Sequence, residues 1–213
     1  MIYLISDQHG GETIGEFEKY LDIATDSDLL ISLGDVGLKF EDTKVNRAFD
    51  EILLNTKKKI AIIDGNHENF KYLFSFPKEE WQGGTVYRIT PNLVLLERGN
   101  VYEIDGKTFF VFGGAKSSDK WKDLGLWQPE EEPTKEQLNR AYENLKKYNY
   151  KVDYVLMHKQ EYGIGLRYDS LLTLCNFIEE KVDFKHFYSG HVHASGQVDS
   201  KHTLVYDKLI CIE

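Results

Sequence analysis

The feature that most constrains this chain is a set of five short polar motifs, each directly after a run of residues that predicts a β-strand. The motifs are Asp7-Gln8-His9, Gly34-Asp35, Gly65-Asn66-His67-Glu68, His158 and Gly190-His191-Val192-His193. Open α/β sheets place ligand-binding residues at the carboxyl ends of their strands. Motifs that are spread over most of the chain can therefore converge on one site.

The first third of the chain alternates strands and helices. Strands are predicted over residues 2–6, 28–33 and 59–63, with helices over residues 12–25 and 44–55 between them. This alternation indicates an α/β fold with parallel strands.

The pattern then becomes richer in strands. Short strands are predicted over residues 85–88, 93–97 and 101–104, and Asp105-Gly106 predicts a hairpin turn because both residues tolerate positive φ. Residues 113–133 are predicted to form a long polar loop, a kind of segment that often carries function.

The last third returns to alternating elements. Thr134 and Gln137 form a capping-box pattern for a helix that reaches about residue 148. A strand over 152–157, a helix over 170–180, a strand over 185–189 and a closing β meander at 198, 203–206 and 209–212 follow. No linker or repeat interrupts the pattern, so one domain over residues 1–213 is expected.

Composition excludes several classes of function. The chain has 26 Lys and Arg against 35 Asp and Glu, and the resulting net charge of -9 disfavours binding to duplex nucleic acid. Apolar runs are far shorter than the ~20 residues that span a membrane, and no secretory signal is expected. Cys175 and Cys211 are too few for a disulfide framework or a four-thiolate zinc site. Buried free thiols predict a cytoplasmic protein.

The five motifs together predict a metal centre. Taken singly, each has an ordinary alternative, such as a capping or turn Asp, a surface His or a structural His. Side chains two apart on an extended chain face the same way, which suits metal binding at both D-x-H and H-x-H. The candidate ligands are Asp7, His9, Asp35, Asn66, His158, His191 and His193. Seven ligands exceed the positions around one cation, and oxygen and imidazole donors without thiolate predict two ions of Mn, Fe, Zn or Co.

These residues resemble the calcineurin-like metallophosphoesterase family, whose pattern is D-x-H, GD-x-x-D-R, GNH-D/E, a single His and GH-x-H. This chain has DQHG, GDVGLK, GNHE, MH and GHVH between residues 7 and 193. The segment GGAKSSDK…LWQPEEEPTKEQL is similar to a bacterial and phage-type subgroup. The resemblance implies a four-layer α/β/β/α sandwich of two mixed sheets flanked by helices.

The resemblance also implies a role for each candidate residue. One metal would be held by Asp7, His9 and His193, and the other by Asn66, His158 and His191. Asp35 would bridge both metals, and His67 would stabilise the scissile phosphate or protonate the leaving oxygen. The implied enzyme is a dinuclear metal-dependent hydrolase of phosphate mono- or diesters with a metal-bridging hydroxide as nucleophile, since paired cations activate such a water.

The chain departs from the family pattern at two positions. Leu38 and Lys39 stand where the family has Asp and Arg. In the protein-phosphatase branch that Asp orients the GNH histidine and that Arg grips phosphate, so neither role transfers to this chain. Lys39 is either a surface lysine or a point-charge contact to phosphate.

Several residues are candidates for the substrate side of the site. The basic ones are Lys116, Lys120, Lys159 and Arg167, each of which is alternatively plain surface. Trp121 and Trp127 predict either a stacking wall for an aromatic group or a cover for the long loop. The acidic run 130–132 is expected to be solvated or to precede a helix.

Small phosphoesters are the expected substrates, because the charge disfavours duplex nucleic acid. A protein Ser/Thr phosphatase or a nuclease of the same family is the alternative enzyme. A non-enzymatic scaffold on the same fold is the alternative of a different class. Such scaffolds lose ligands or the GNH histidine, whereas this chain has all seven candidates and His67.

Overall fold

The computed structural model describes residues 1–159 and 170–212, and within them two β-sheets pack face to face. The strands are β1 Ile2–Ile5, β2 Leu29–Ser32, β3 Lys59–Ile62, β4 Lys78–Trp81, β5 Gly84–Thr90, β6 Leu93–Leu96, β7 Asn100–Ile104, β8 Lys107–Phe112, β9 Tyr154–Met157, β10 His186–Ser189, β11 Gly196–Gln197, β12 His202–Leu204 and β13 Ile210–Ile212. The helices are α1 Ile14–Ile23, α2 Lys44–Asn55, α3 Phe70–Leu73, α4 Asp119–Asp123, α5 Lys135–Lys147 and α6 Ser170–Lys181, with a 3₁₀ helix at Pro129–Glu131.

The first sheet has seven strands in the order β13-β1-β2-β3-β6-β5-β4. Its centre, β1 to β3 and β6, is parallel, and β13, β5 and β4 pair antiparallel. β1 and β2 are buried along their whole length, because helices cover one face and the second sheet covers the other. The predicted α/β alternation is therefore confirmed.

The second sheet has six strands in the order β11-β12-β10-β9-β8-β7. β8, β9, β10 and β12 are parallel, and β7 and β11 pair antiparallel at the edges. The predicted hairpin between β7 and β8 is confirmed, with φ of 51° at Asp105 and 72° at Gly106. Positive φ at both central residues is what a two-residue turn of this hand requires.

Three apolar layers hold the sheets and helices together. The central layer joins the two sheets through residues such as Ile31, Leu96 and Phe109. One outer layer packs α1 and α2 on the seven-stranded sheet, and the other packs α5 and α6 on the six-stranded sheet. The predicted four-layer α/β/β/α sandwich with two mixed sheets is confirmed.

The predicted closing meander is wrong. β11 and β12 join the six-stranded sheet, whereas β13 crosses to the other sheet and pairs antiparallel with β1. This strand covers an otherwise unpaired edge of β1 and adds Ile212 to the central layer.

The loop predicted over residues 113–133 contains α4 and the 3₁₀ helix. The capping box at Thr134 and Gln137 is confirmed at the start of α5. Within residues 1–159 and 170–212, none of the helices combines the length and apolar character that crossing a bilayer would need.

Candidate metal centre

The five motifs converge where strands of both sheets end. Asp7, Asp35 and Asn66 follow β1, β2 and β3, while His158 and His191 follow β9 and β10. Turns at these strand ends carry five of the candidate ligands in the left-handed region, with φ of 57° at Asp7, 43° at His9, 52° at Asp35, 72° at His191 and 49° at His193. Such backbone persists only where the surroundings enforce it, and it clusters at functional sites.

Two glycines of the motifs are required by close approach. A Cβ at Gly65 would lie 2.0 Å from Oδ1 of Asp35, and a Cβ at Gly190 would lie 2.6 Å from Oδ2 of Asp7. Any side chain at either position would displace a carboxylate of the site.

The outer ligand group, defined as Asp7, His9 and His193, lies towards solvent. The Nε2 atoms of His9 and His193 are 2.9 Å apart, and Nε2 of His193 is 3.4 Å from Oδ1 of Asp7. The hydrogen bond with Asp7 raises the pKa of His193. Tyr206 stacks on the His193 ring with centroids 4.7 Å apart. Two imidazole nitrogens and a carboxylate aimed at one point form a donor set that fits Mn, Fe, Zn or Co.

The inner ligand group, defined as Asp35, His158 and His191, is more buried. His158 Nδ1 is 2.7 Å from the Leu33 carbonyl oxygen, while its Nε2 is 3.4 Å from Oδ2 of Asp35 and 3.1 Å from Oδ1 of Asn66. The hydrogen bond between Nδ1 and the Leu33 carbonyl oxygen fixes the ring so that Nε2 faces the site. Metal-binding histidines are commonly oriented in this way.

Electrostatics within the inner ligand group are dominated by Asp35. Burial alone lowers the pKa of His158, but the neighbouring Asp35 carboxylate raises it to about 9. Burial, followed by the charge of His158, lowers the pKa of His191 to about 4. Burial opposes ionisation of Asp35, yet the surrounding histidines hold the pKa of its carboxyl well below the usual range. A cation here would take the place of the proton on His158.

Asp35 of the inner ligand group also faces the outer ligand group. Its Oδ2 is 3.7 Å from Nε2 of His9 in the outer group and 3.4 Å from Nε2 of His158 in its own group. Its Oδ1 accepts a hydrogen bond from the backbone N–H of His67 at 2.7 Å. This is the placement that a bridging carboxylate needs.

His67 is positioned by aromatic rings. Its ring centroid is 5.0 Å from that of Trp121 and 6.2 Å from that of Phe40, both edge-on, and 5.5 Å from that of His9. Leu38, at the family's Asp position, is fully buried in the apolar layer under α1 and α2. Over the described part of the chain, no carboxylate forms a hydrogen bond with the His67 ring, and its aromatic neighbours there are these three rings.

Glu68 is a site residue to which the sequence analysis gave no role. It is fully buried, and its carboxylate accepts hydrogen bonds from the backbone N–H groups of Val36 at 2.9 Å, Gly37 at 3.2 Å and Gly65 at 3.3 Å. It thereby joins the turn that carries Asp35 to the turn that carries Asn66. Burial and then the Asp35 charge raise the pKa of Glu68 to about 8. Its place directly after His67 in the GNHE motif was the available signal.

A hydrogen-bonded chain from the long loop orients Asn66. The Asn66 side-chain nitrogen donates to Ser117 Oγ at 3.0 Å, which turns the amide oxygen towards Nε2 of His158, 3.1 Å away. Glu131 accepts from the backbone N–H of Ser117 and from that of Gln128, each at 3.1 Å. Glu131 is 1% exposed, so the solvated alternative for the run over 130–132 is wrong for this residue, whereas the run does precede a helix, α5. The two hydrogen bonds that its carboxylate accepts from loop amides compensate for the hydration that Glu131 loses on burial.

Arg98 and Asp64 form a buried ion pair that the sequence did not reveal. Arg98 donates from Nε to Oδ2 of Asp64 at 2.8 Å and from Nη2 to the same oxygen. Nη2 also donates to the Glu130 carbonyl at 2.7 Å. The pair therefore links the residue before Gly65 to the long loop.

A pocket of about 340 Å³ opens on the site. Its lining comprises His9, Glu12, Asp35, Phe40, Glu41, His67, Trp121, His191 and His193. Among the basic candidates, Lys116 and Lys120 are absent from this described lining, Lys159 is close enough to help lower the pKa of His191, and Arg167 lies outside the described residues.

Two further candidates are not among the residues that line this pocket. Lys39 Nζ is 3.4 Å from Oδ2 of the buried Asp50 on α2. The Trp127 ring contacts Lys122, whose Nζ is 5.0 Å from the ring centroid. Of the two tryptophans, Trp121 is the one that lines the pocket.

Comparison with known proteins gives a family match. A family model described as calcineurin-like phosphoesterase matches residues 1–195. No curated protein matches the chain. Among solved structures, the chain is similar to a protein of unknown function from Aquifex aeolicus, with 16% identity, a TM-score of 0.43 and coverage of 86% of this chain and 87% of that one.

Proposed function

Because the chain belongs to the calcineurin-like phosphoesterase family, we propose that it is a dinuclear metal-dependent hydrolase of phosphate mono- or diesters. The observation that carries the proposal is that Asp35 of the inner ligand group also faces the outer ligand group. Its Oδ2 lies within 4 Å of a histidine nitrogen on either side. Small phosphoesters are the proposed substrates.

The candidate residues have complementary tasks in this reaction. When bound, two divalent cations activate a water by lowering its pKa and offset the charge of the phosphate. Asp35 would supply negative charge to both ions, and the lack of a side chain at Gly65 and Gly190 leaves room for the carboxylates of Asp35 and Asp7. His67 lines the same pocket, where its ring can donate a proton to the leaving oxygen or stabilise the phosphate.

The experiment is a metal-dependent assay with a matched control. The metal-free protein is reloaded with Mn, Fe(II), Co, Zn or Mg and assayed on 4-nitrophenyl phosphate and bis(4-nitrophenyl) phosphate, with bound metal counted in parallel. We expect hydrolysis with at least one of the first four metals and two ions per chain. Asp22→Asn, an exposed position on α1, serves as the control for Asp35→Asn. Absence of hydrolysis with every metal would reject the proposal and leave the scaffold alternative.

A further inference from the structure

The pocket presents two partly exposed aromatic side chains next to His67. Phe40 is 40% exposed and Trp121 is 37% exposed, and both line the pocket. Their rings contact the His67 ring edge-on, so an aromatic surface lies directly beside the proposed proton donor. Large apolar side chains gathered at a pocket mouth commonly mark a ligand surface.

Charge at the same mouth is negative. Glu12 and Glu41 line the pocket, and none of the lining residues in the described part of the chain is Lys or Arg. The ammonium group of Lys39 contacts Asp50 on α2 instead. Exposed carboxylates repel additional phosphate groups, whereas an ester with a single negative charge meets less repulsion.

From these features we propose that the pocket takes a phosphodiester that carries a nucleobase or a comparable planar aromatic ring, stacked on Trp121 and Phe40. The proposal rests on the proposed phosphoesterase function and names its substrate class. In the reaction, a water oxygen forms a bond to phosphorus and the bond from phosphorus to one alcohol oxygen breaks. A proton passes to that oxygen, and the products are a phosphomonoester and an alcohol.

The test compares two esters that differ only in the ring. The methyl ester of adenosine 5′-monophosphate and the methyl ester of ribose 5-phosphate have the same ester linkages and charge, and only the first carries a nucleobase. We expect kcat/KM to be about tenfold higher for the adenosine ester, within the range that base stacking on an aromatic side chain provides. The difference should lie mainly in KM.

Variants then assign the preference to the rings. Trp121→Ala and Phe40→Ala should each reduce the ratio of the two kcat/KM values, while Trp121→Phe should retain most of it. Trp127→Ala is the matched control, because Trp127 lies on the same loop but does not line the pocket. Circular dichroism and metal content show whether each variant is folded and loaded.

The charge is tested separately with Glu12→Gln/Glu41→Gln and with Glu143→Gln, an exposed position on α5, as control. The double variant should lower the ratio of activity on bis(4-nitrophenyl) phosphate, a monoanion, to activity on 4-nitrophenyl phosphate. The change should shrink at high salt.

Each outcome bears on one proposal. Equal kcat/KM for the two methyl esters would overturn the substrate class while hydrolysis itself upheld the enzyme. A preference that is unchanged in both Trp121→Ala and Phe40→Ala would overturn the assignment of stacking to these two rings. An unchanged ratio in the glutamate double variant would overturn the part of the inference that concerns charge. No hydrolysis of any ester with any metal would overturn the proposed function itself.

Discussion

The outer and inner ligand groups differ in how firmly the protein holds them. In the inner group His158 is fully buried and both its ring nitrogens face oxygen partners. In the outer group the His193 side chain is 43% exposed, and its Nε2 lies 2.9 Å from that of His9. Contacts within the protein therefore fix the His158 ring of the inner group, whereas the exposed His193 side chain of the outer group is held by fewer contacts. We expect the inner group to bind a metal ion more tightly.

The largest effect should come from Asp35→Asn, which removes the charge shared by the two groups. We expect both groups to lose metal. Activity should fall by more than the roughly 100-fold that is the upper limit for mutating a residue that only orients a ligand. Metal content by mass spectrometry and kcat/KM measure this, with Asp22→Asn as control. Full two-metal occupancy with full activity in Asp35→Asn would contradict the assignment.

The comparison between the groups is tested directly by His158→Ala and His193→Ala. We expect His193→Ala to retain about one tightly bound metal per chain, because the inner group is intact. His158→Ala should lose the tighter metal. Calorimetric titration with Mn or Zn reports both affinities, and equal residual affinity in the two variants would show that burial does not set the order of binding.

His67→Ala separates catalysis from metal binding. A positioned acid contributes ~10²–10⁴-fold to rate, and we expect the lower half of this range because rings rather than a carboxylate hold His67. The loss should fall on alkyl esters and spare 4-nitrophenyl esters, whose leaving group needs no proton. Equal losses on both esters would instead indicate stabilisation of the phosphate, and loss of metal would identify His67 as a ligand.

The smallest effect is expected for Ser117→Ala, which removes the acceptor for the Asn66 amide. Loss of such a supporting hydrogen bond typically costs 10–100-fold in metal affinity or activity, and the inner metal should be the one affected. Ser118→Ala is the matched control, because Ser118 is exposed and its side chain makes no capping bond. Equal metal affinity in the two variants would show that Asn66 is oriented without Ser117.

Local patterns in the chain predicted the α/β alternation and placed the candidate ligands together, while the four-layer sandwich followed from the family resemblance. Strands buried on both faces are continuous apolar runs, and Asp7, Asp35 and Asn66 come directly after three of them. A parallel sheet brings the ends of such strands to one edge. The hairpin at Asp105-Gly106 was equally predictable, because its two residues determine the turn themselves.

The tertiary structure decided everything that depends on contact between distant segments. β13 leaves the predicted meander for the edge of β1, because a free edge there is covered only once both sheets are formed. The sequence allows Glu131 either to be solvated or to precede a helix, and the fold buries its carboxylate as the acceptor for the backbone N–H of Ser117. Likewise, the rings that contact His67 come from the segment after β2 and from α4, which are far apart in the chain, and only packing brings Phe40 and Trp121 to the same histidine.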